Sequence, residues 1–166
     1  MTTPDTLATA TVERVAAAMK LAQQTVAVAE SSTAGLISAS LLAMPGASAY
    51  FMGGSVIYTL ESRKHILGIS RDDVEGLEPL TEAIVMRFAE KARAQLNTTW
   101  AVAELGVAGP TGARYGHPPG ISVLAVDGPV KLTQTVTTGN SDREQNMWAF
   151  TEQAIQLLAR ALEENA

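Results

Sequence analysis

The chain is predicted to fold as a three-layer α/β/α sandwich around a mixed, mostly parallel sheet. Three features of the sequence point there. Short apolar runs rich in β-branched residues alternate with longer stretches of helical periodicity. Gly and Pro punctuate the changes from one to the other. A single Asp127-Gly128 step joins two strand-like runs with no helix between them, which turns one strand against the rest.

Residues 7 to 22 place Val12, Val15, Ala16 and Met19 on one helical face. TVAVAE, 25 to 30, is short and apolar with a β-branched residue at alternate positions, so it reads as a buried strand. A helix is expected over 33 to 44, stopped by Pro45-Gly46. SVIYT, 55 to 59, suggests a second strand just after Gly53 and Gly54, and 61 to 67 a short helix closed by Gly68. Thr81 is a natural N-cap for EAIVMRFAEKARAQL, where Ile84, Phe88, Ala92 and Leu96 share a face. Strands follow at 98 to 107, 121 to 127 and 130 to 138, the first two separated by a Gly- and Pro-rich loop at 108 to 120. Ser141-Asp142-Arg143-Glu144 has the pattern of a capping box. It opens a helix with Met147, Phe150, Ala154, Leu157, Leu158 and Ala161 on one side.

The 166 residues are most simply one domain, 1–166, and 46% of them are hydrophobic, enough for a sizeable core. The net charge of -5, with no basic run to track a phosphate backbone, argues against nucleic acid as a partner. With no cysteine there is no disulfide, thiolate nucleophile or Cys metal site, and two histidines do not make a His-rich one. No apolar run reaches membrane-spanning length and MTTPDTL is no signal peptide. A cytoplasmic protein without membrane contact is therefore the expectation.

In open α/β sheets, sites lie where strand ends lead into helices. AESSTAG, 29 to 35, is such a place. Its hydroxyls either cap the following helix or present a nucleophile, Ser31, to the free N–H groups of a helix start. YTLESRKH, 58 to 65, offers Tyr58 at a strand end and the adjacent cations Arg63 and Lys64. Successive helical residues diverge by about 100°, so only one of the two faces a given site. LGVAGPTGARYGHPPG, 105 to 120, brings bare backbone and the candidate anion contacts Arg114 and His117, without the Gly-Lys-Ser/Thr of a phosphate-binding Walker loop. Arg143, in the first turn of the last helix, is electrostatically misplaced there and suggests an anionic partner.

Taken in order, these segments resemble the C-terminal domain family of the competence/damage-inducible protein CinA, whose active members are nicotinamide-nucleotide amidases. AESSTAG resembles the family's Ala-Glu-Ser-Cys-Thr-Gly-Gly, and PGASAYF at 45 to 51 its Pro-Gly-Ser-Ser-Ala-x-Phe. YTLESR with the later LGI resembles Tyr-Ser-Asn-Glu-Ala-Lys and Leu-Gly-Val. GVAGPTG at 106 to 112 resembles Gly-x-Ala-Gly-Pro-x-Gly, PPGIS at 118 to 122 resembles Pro-Val-Gly-Thr-Val, and SDR at 141 to 143 resembles Gly-Asp-Arg. The match spans nearly the whole chain.

The resemblance implies hydrolysis of the carboxamide of nicotinamide mononucleotide to nicotinic acid mononucleotide and ammonia, with no metal or organic cofactor. It puts the nucleophile at Ser31, the lysine base at Arg63, a tyrosine at Tyr58 and an arginine at Arg143. Glu30, Ser32, Thr33 and Gly35 of the first motif, and Gly106, Ala108 and Gly109 of the glycine-rich loop, would hold the nucleotide. It also implies a homo-oligomer, a dimer. Four positions depart from the pattern: Ser32 stands for the family's usual cysteine, Ala34 for a glycine, Leu105 for a Thr or Ser, and Arg63 for the lysine. Arginine stays protonated and cannot take a serine proton as a lysine of lowered pKa can. Lys64 would serve only if the register slipped by one. The alternative is a paralogue that binds a nucleotide or a protein partner without hydrolysing it.

Overall fold

The computed structural model describes residues 9–166. Five strands form one sheet: β1 (Val26–Glu30), β2 (Phe51–Val56), β3 (Trp100–Val107), β4 (Ile121–Asp127) and β5 (Leu132–Thr137), in the spatial order β2-β1-β3-β4-β5. β2, β1 and β3 pair in parallel, while β4 is antiparallel to both neighbours. Four strands thus run one way and β4 alone runs against them, the mixed sheet that the Asp127-Gly128 step predicts.

Period-two alternation divides the strand residues between two cores. Val26, Val28, Trp100 and Val102 face α1 (Ala10–Ala22), α2 (Leu36–Leu42) and α5 (Arg143–Glu164). Ala27, Ala29, Ala101 and Ala103 face α4 (Glu82–Leu96), which packs Val85, Phe88 and Ala89 onto this row of small side chains. A short helix, α3 (Leu60–His65), lies beyond the end of β2. Val12, Val15, Ala16 and Met19 form the buried face of α1, whose N-cap is Thr9; the part of the predicted helix at residues 7 and 8 lies outside the described residues.

Two elements begin elsewhere than expected. β2 starts at Phe51 and includes Gly53 and Gly54, which read as punctuation but are strand residues paired with Ala27 and Val28. α2 starts at Leu36 rather than 33, because residues 31 to 35 form a turn in which Ala34 N–H donates to Ser31 O and Leu36 N–H to Thr33 O. On α4, Thr81 is the N-cap, and Ile84, Phe88 and Ala92 are buried, but Leu96 is exposed. The α5 cap is Asp142, not a box opened by Ser141: its carboxylate accepts from Gln145 N–H at 2.9 Å, so Arg143 is the first helical residue.

Candidate functional site

At the C-terminal ends of β1 and β3 the alternating apolar rows stop in two glutamates. Glu30 and Glu104 are register partners, both fully buried. A buried carboxylate needs a full set of donors, and the turn after β1 supplies them. Glu30 accepts from Thr33 Oγ1 (2.6 Å), Ile37 N (3.1 Å), Ser38 N (3.0 Å) and Ser38 Oγ (2.7 Å). Glu104 accepts at Oε2 from Ser31 N (3.0 Å) and Thr33 N (3.1 Å). Its Oε1 lies 2.5 Å from Ser32 Oγ and 3.1 Å from Ser122 Oγ. The first free N–H groups of α2 are therefore met by Glu30, from the preceding strand, and neither Ser31, Ser32 nor Thr33 is its N-cap, which is Gly35. Burial pushes the Glu104 carboxyl above the usual carboxylate range; hydrogen bonds from Ser32, Thr33 and Ser31 oppose this, and the Glu30 charge adds to it.

Above this carboxylate floor lies a cavity of about 310 Å³. Ser31 and Ser32 line it from the turn, Tyr58 and Arg63 from the β2–α3 side, and Gly106, Ala108 and Gly109 from β3 and the loop that follows. Arg143 closes it from the first turn of α5, and Arg114 and Tyr115 overhang it. Nine expected site residues, Arg114 among them, thus share one cavity. Glu30, Thr33, Gly35 and Lys64 do not line it: Glu30 and Thr33 are sealed beneath, and Lys64 is exposed. His117 stands behind Tyr115, edge to face at 5.8 Å.

Each wall is fixed by distant partners. Arg63 Nε donates to Ile57 O at 3.3 Å, and its guanidinium lies 5.4 Å from the Phe88 ring centre, a cation–π geometry. Burial lowers its pKa from the usual guanidinium value, while the charges of Tyr115 and Glu104 raise it; it remains a cation. Arg143 donates to Gly109 O at 2.6 Å and to the Tyr58 hydroxyl at 3.3 Å. Its misplaced charge thus ties the loop to the β2–α3 corner. Asn146, one turn on and fully buried, donates to Ala108 O at 2.7 Å and Asn140 O at 2.8 Å. Gly109 has φ 106°, and a Cβ there would meet Ser141 O at 2.7 Å, so the loop closes on α5 only with glycine at this place.

Sequence reasoning missed Glu104 and Asn146. The signal for Glu104 was present: one charged residue inside the apolar strand WAVAELGV. Asn146 carries no such mark, since a polar residue in the first turns of a helix is ordinary.

Among the described residues no three or more His, Asp or Glu side chains are grouped to hold a metal ion, and no helix is long and apolar enough to cross a membrane.

Comparison with known proteins places the chain among relatives. The CinA C-terminal domain family matches residues 8–162. A CinA-like protein of Parasynechococcus marenigrum is 38% identical over 128 residues, covering 77% of this chain and 30% of that protein. One from Thermosynechococcus vestitus is 34% identical over 151 residues, covering 89% of this chain and 36% of the other. The chain spans about a third of the length of these curated relatives. Among solved structures, the competence/damage inducible protein CihA from Agrobacterium tumefaciens superposes with a TM-score of 0.83 at 26% identity, covering 92% of this chain and 93% of that one. A CinA superfamily protein from Klebsiella pneumoniae gives a TM-score of 0.85 at 24% identity, covering 93% and 96%, which is a likeness of fold.

Proposed function

This chain belongs to the CinA C-terminal domain family, and on that premise we propose that it is a nicotinamide-nucleotide amidohydrolase. The substrate class is nicotinamide mononucleotide, and the products are nicotinic acid mononucleotide and ammonia. A serine hydroxyl of the turn after β1 attacks the carboxamide carbon. Arg63, Arg114 and Arg143 hold the phosphate and offset developing negative charge. The backbone at Gly106, Ala108 and Gly109 lies against the nucleotide, where a side chain would intrude. One observation carries the reading: two serines, three arginines and a glycine-rich strand end line the same cavity.

Arg63 favours a second reading. It stands where the resemblance expects a lysine, and a guanidinium cannot serve as proton acceptor. A pocket kept for binding, with the chemistry gone, would have this composition.

Incubating the purified protein with nicotinamide mononucleotide and measuring ammonia and nicotinic acid mononucleotide separates the two. The hydrolase turns over, and the double replacement Ser31→Ala with Ser32→Ala abolishes turnover. The binder shows none, yet the nucleotide raises its melting temperature, by about 2.7 kcal/mol of stability at a hundredfold excess over Kd. Turnover that emerges only in Arg63→Lys means that the chemistry was lost at that position.

A further inference from the structure

We propose that Arg63 makes this pocket selective for the carboxylate form of the nucleotide, so that the acid is held more tightly than the amide. This rests on the pyridine-nucleotide reading of the cavity and names the group on the ring that the cavity selects. The lining carries three arginines, Arg63, Arg114 and Arg143, and no Asp or Glu side chain. None of the three is in an ion pair among the described residues, although the chain has a net charge of -5. Unpaired cations gathered in one cavity call for an anionic ligand. A phosphate supplies about two negative charges near neutral pH. A carboxylate on the ring supplies a further one, and a carboxamide supplies none.

The cations differ in what already binds them. Arg143 has acceptors within the protein, Gly109 O and the Tyr58 hydroxyl. Arg63 is half-buried, and only its Nε is occupied, donating to Ile57 O at 3.3 Å. Its two terminal nitrogens have no acceptor among the described residues, while the guanidinium rests over the Phe88 ring at 5.4 Å. A desolvated cation without acceptors is costly unless a ligand provides them. Arg63 also lies near enough to Glu104, the carboxylate beneath the Ser31–Thr33 turn, for the two charges to interact. It therefore stands at the serine end of the cavity, where the nucleotide reading puts the acyl group, and Arg114 and Arg143 remain for the phosphate.

The acid and the amide part company at that point. A guanidinium meets a carboxylate through two parallel, charge-assisted N–H···O bonds. A carboxamide has one oxygen to accept, and its NH2 sets donors against donors. A lysine in this place would lack the planar fork. Arginine at 63 thus removes a proton acceptor and adds a carboxylate receptor. Glu104 opposes an anion here, but it is fully buried, and Ser31 N, Thr33 N, Ser32 Oγ and Ser122 Oγ donate to it.

The test is calorimetric titration with nicotinic acid mononucleotide and nicotinamide mononucleotide, which differ only in that group. Wild type is titrated beside the double variant Ser31→Ala with Ser32→Ala, which does not consume the amide. The acid should bind about 10- to 100-fold more tightly, the range for charged hydrogen bonds. Arg63→Gln should bring the ratio near one and Arg63→Lys should leave part of it. Arg114→Gln should weaken both nucleotides and keep the ratio. An acid that binds no more tightly than the amide overturns the proposal, as does a preference that survives Arg63→Gln. The ratio itself is read without any change at 63, so an Arg63→Gln that fails to fold leaves the test standing. Ammonia release with no preference for the acid keeps the hydrolase and sinks the carboxylate site. A preference for the acid without ammonia release upholds the site in a binder. Binding of neither nucleotide sinks the nucleotide reading and the site together.

Discussion

Glu30 and Glu104 face each other across two parallel strands, and the Thr33 hydroxyl stands between them, 2.6 Å from one carboxylate and 3.1 Å from the other. That hydroxyl carries one proton, so it satisfies one carboxylate at a time. Glu30 has three further donors. Glu104 has four, from Ser31 N, Thr33 N, Ser32 Oγ and Ser122 Oγ, yet burial outweighs them and raises its proton affinity in the folded state.

The consequence for stability has a definite sign. A carboxyl whose folded pKa exceeds its unfolded value stabilises the fold most below the ordinary carboxylate range, and that contribution is lost as pH rises through the folded value. Glu104→Gln is neutral at every pH and lacks the dependence. Denaturant unfolding at about pH 4 and about pH 8 should show wild type losing ground to Glu104→Gln as pH rises. A difference that grows in favour of wild type contradicts the assignment.

Asp73 behaves in the opposite sense. Its carboxylate accepts from Ser70 N–H and Ser70 Oγ, both at 2.7 Å, and from Lys91, and these hold its pKa down at about 2. The stabilisation is present above the ordinary aspartate value and is lost as pH falls toward about 2. Asp73→Asn should be less stable than wild type near neutral pH and should converge with it in strong acid. Unfolding curves across that range check this.

Gly106→Ala places a methyl against Ser32 Oγ, Glu104 Oε1 and, at 3.1 Å, Phe150. Overpacking of this kind costs about 1 to 3 kcal/mol. Melting should register that loss.

Arg143→Ala removes the two bonds that join the loop and Tyr58 to α5. Nucleotide affinity should drop about 10- to 100-fold, the range for charged hydrogen bonds. Arg143→Lys should recover only part of it, because an ammonium lacks the planar fork. Helix stability should hold or rise, since a cation leaves an electropositive helix start. Calorimetric titration beside a melting curve reads the split.

Ala34 adopts φ 52° in the turn after β1, a left-handed conformation that favours glycine. Ala34→Gly should raise stability by up to about 1 kcal/mol, measured by denaturant unfolding. A loss would mean that the alanine methyl packs usefully.

What the sequence revealed was local, and what it concealed was tertiary. Thr81 caps α4 with its own side chain, and the buried face of α1 repeats within the helix itself, so both were legible. The start of α2 was not, because its cap comes from Glu30 on the preceding strand, while Thr33, the natural local candidate, turns its hydroxyl to two carboxylates instead. β2 began early because Gly53 and Gly54 pair within the sheet, where glycine normally signals a break. Ser31, Tyr58, Arg63 and Arg143 could be chosen from motif order, and they do line one cavity. Glu104 lies 72 residues from its Ser32 partner, a pairing that no spacing rule reveals.

The clamp that Arg143 and Asn146 place on the loop after β3 has an implication for synthesis on the ribosome. All five strands and the loop they fasten precede α5 in the chain. While the polypeptide is emerging, the sheet can pair before the clamp exists, and Ala108 and Gly109 lack the donors that later fix them. The proposed ligand capture therefore waits until residues 143 to 146 clear the exit tunnel.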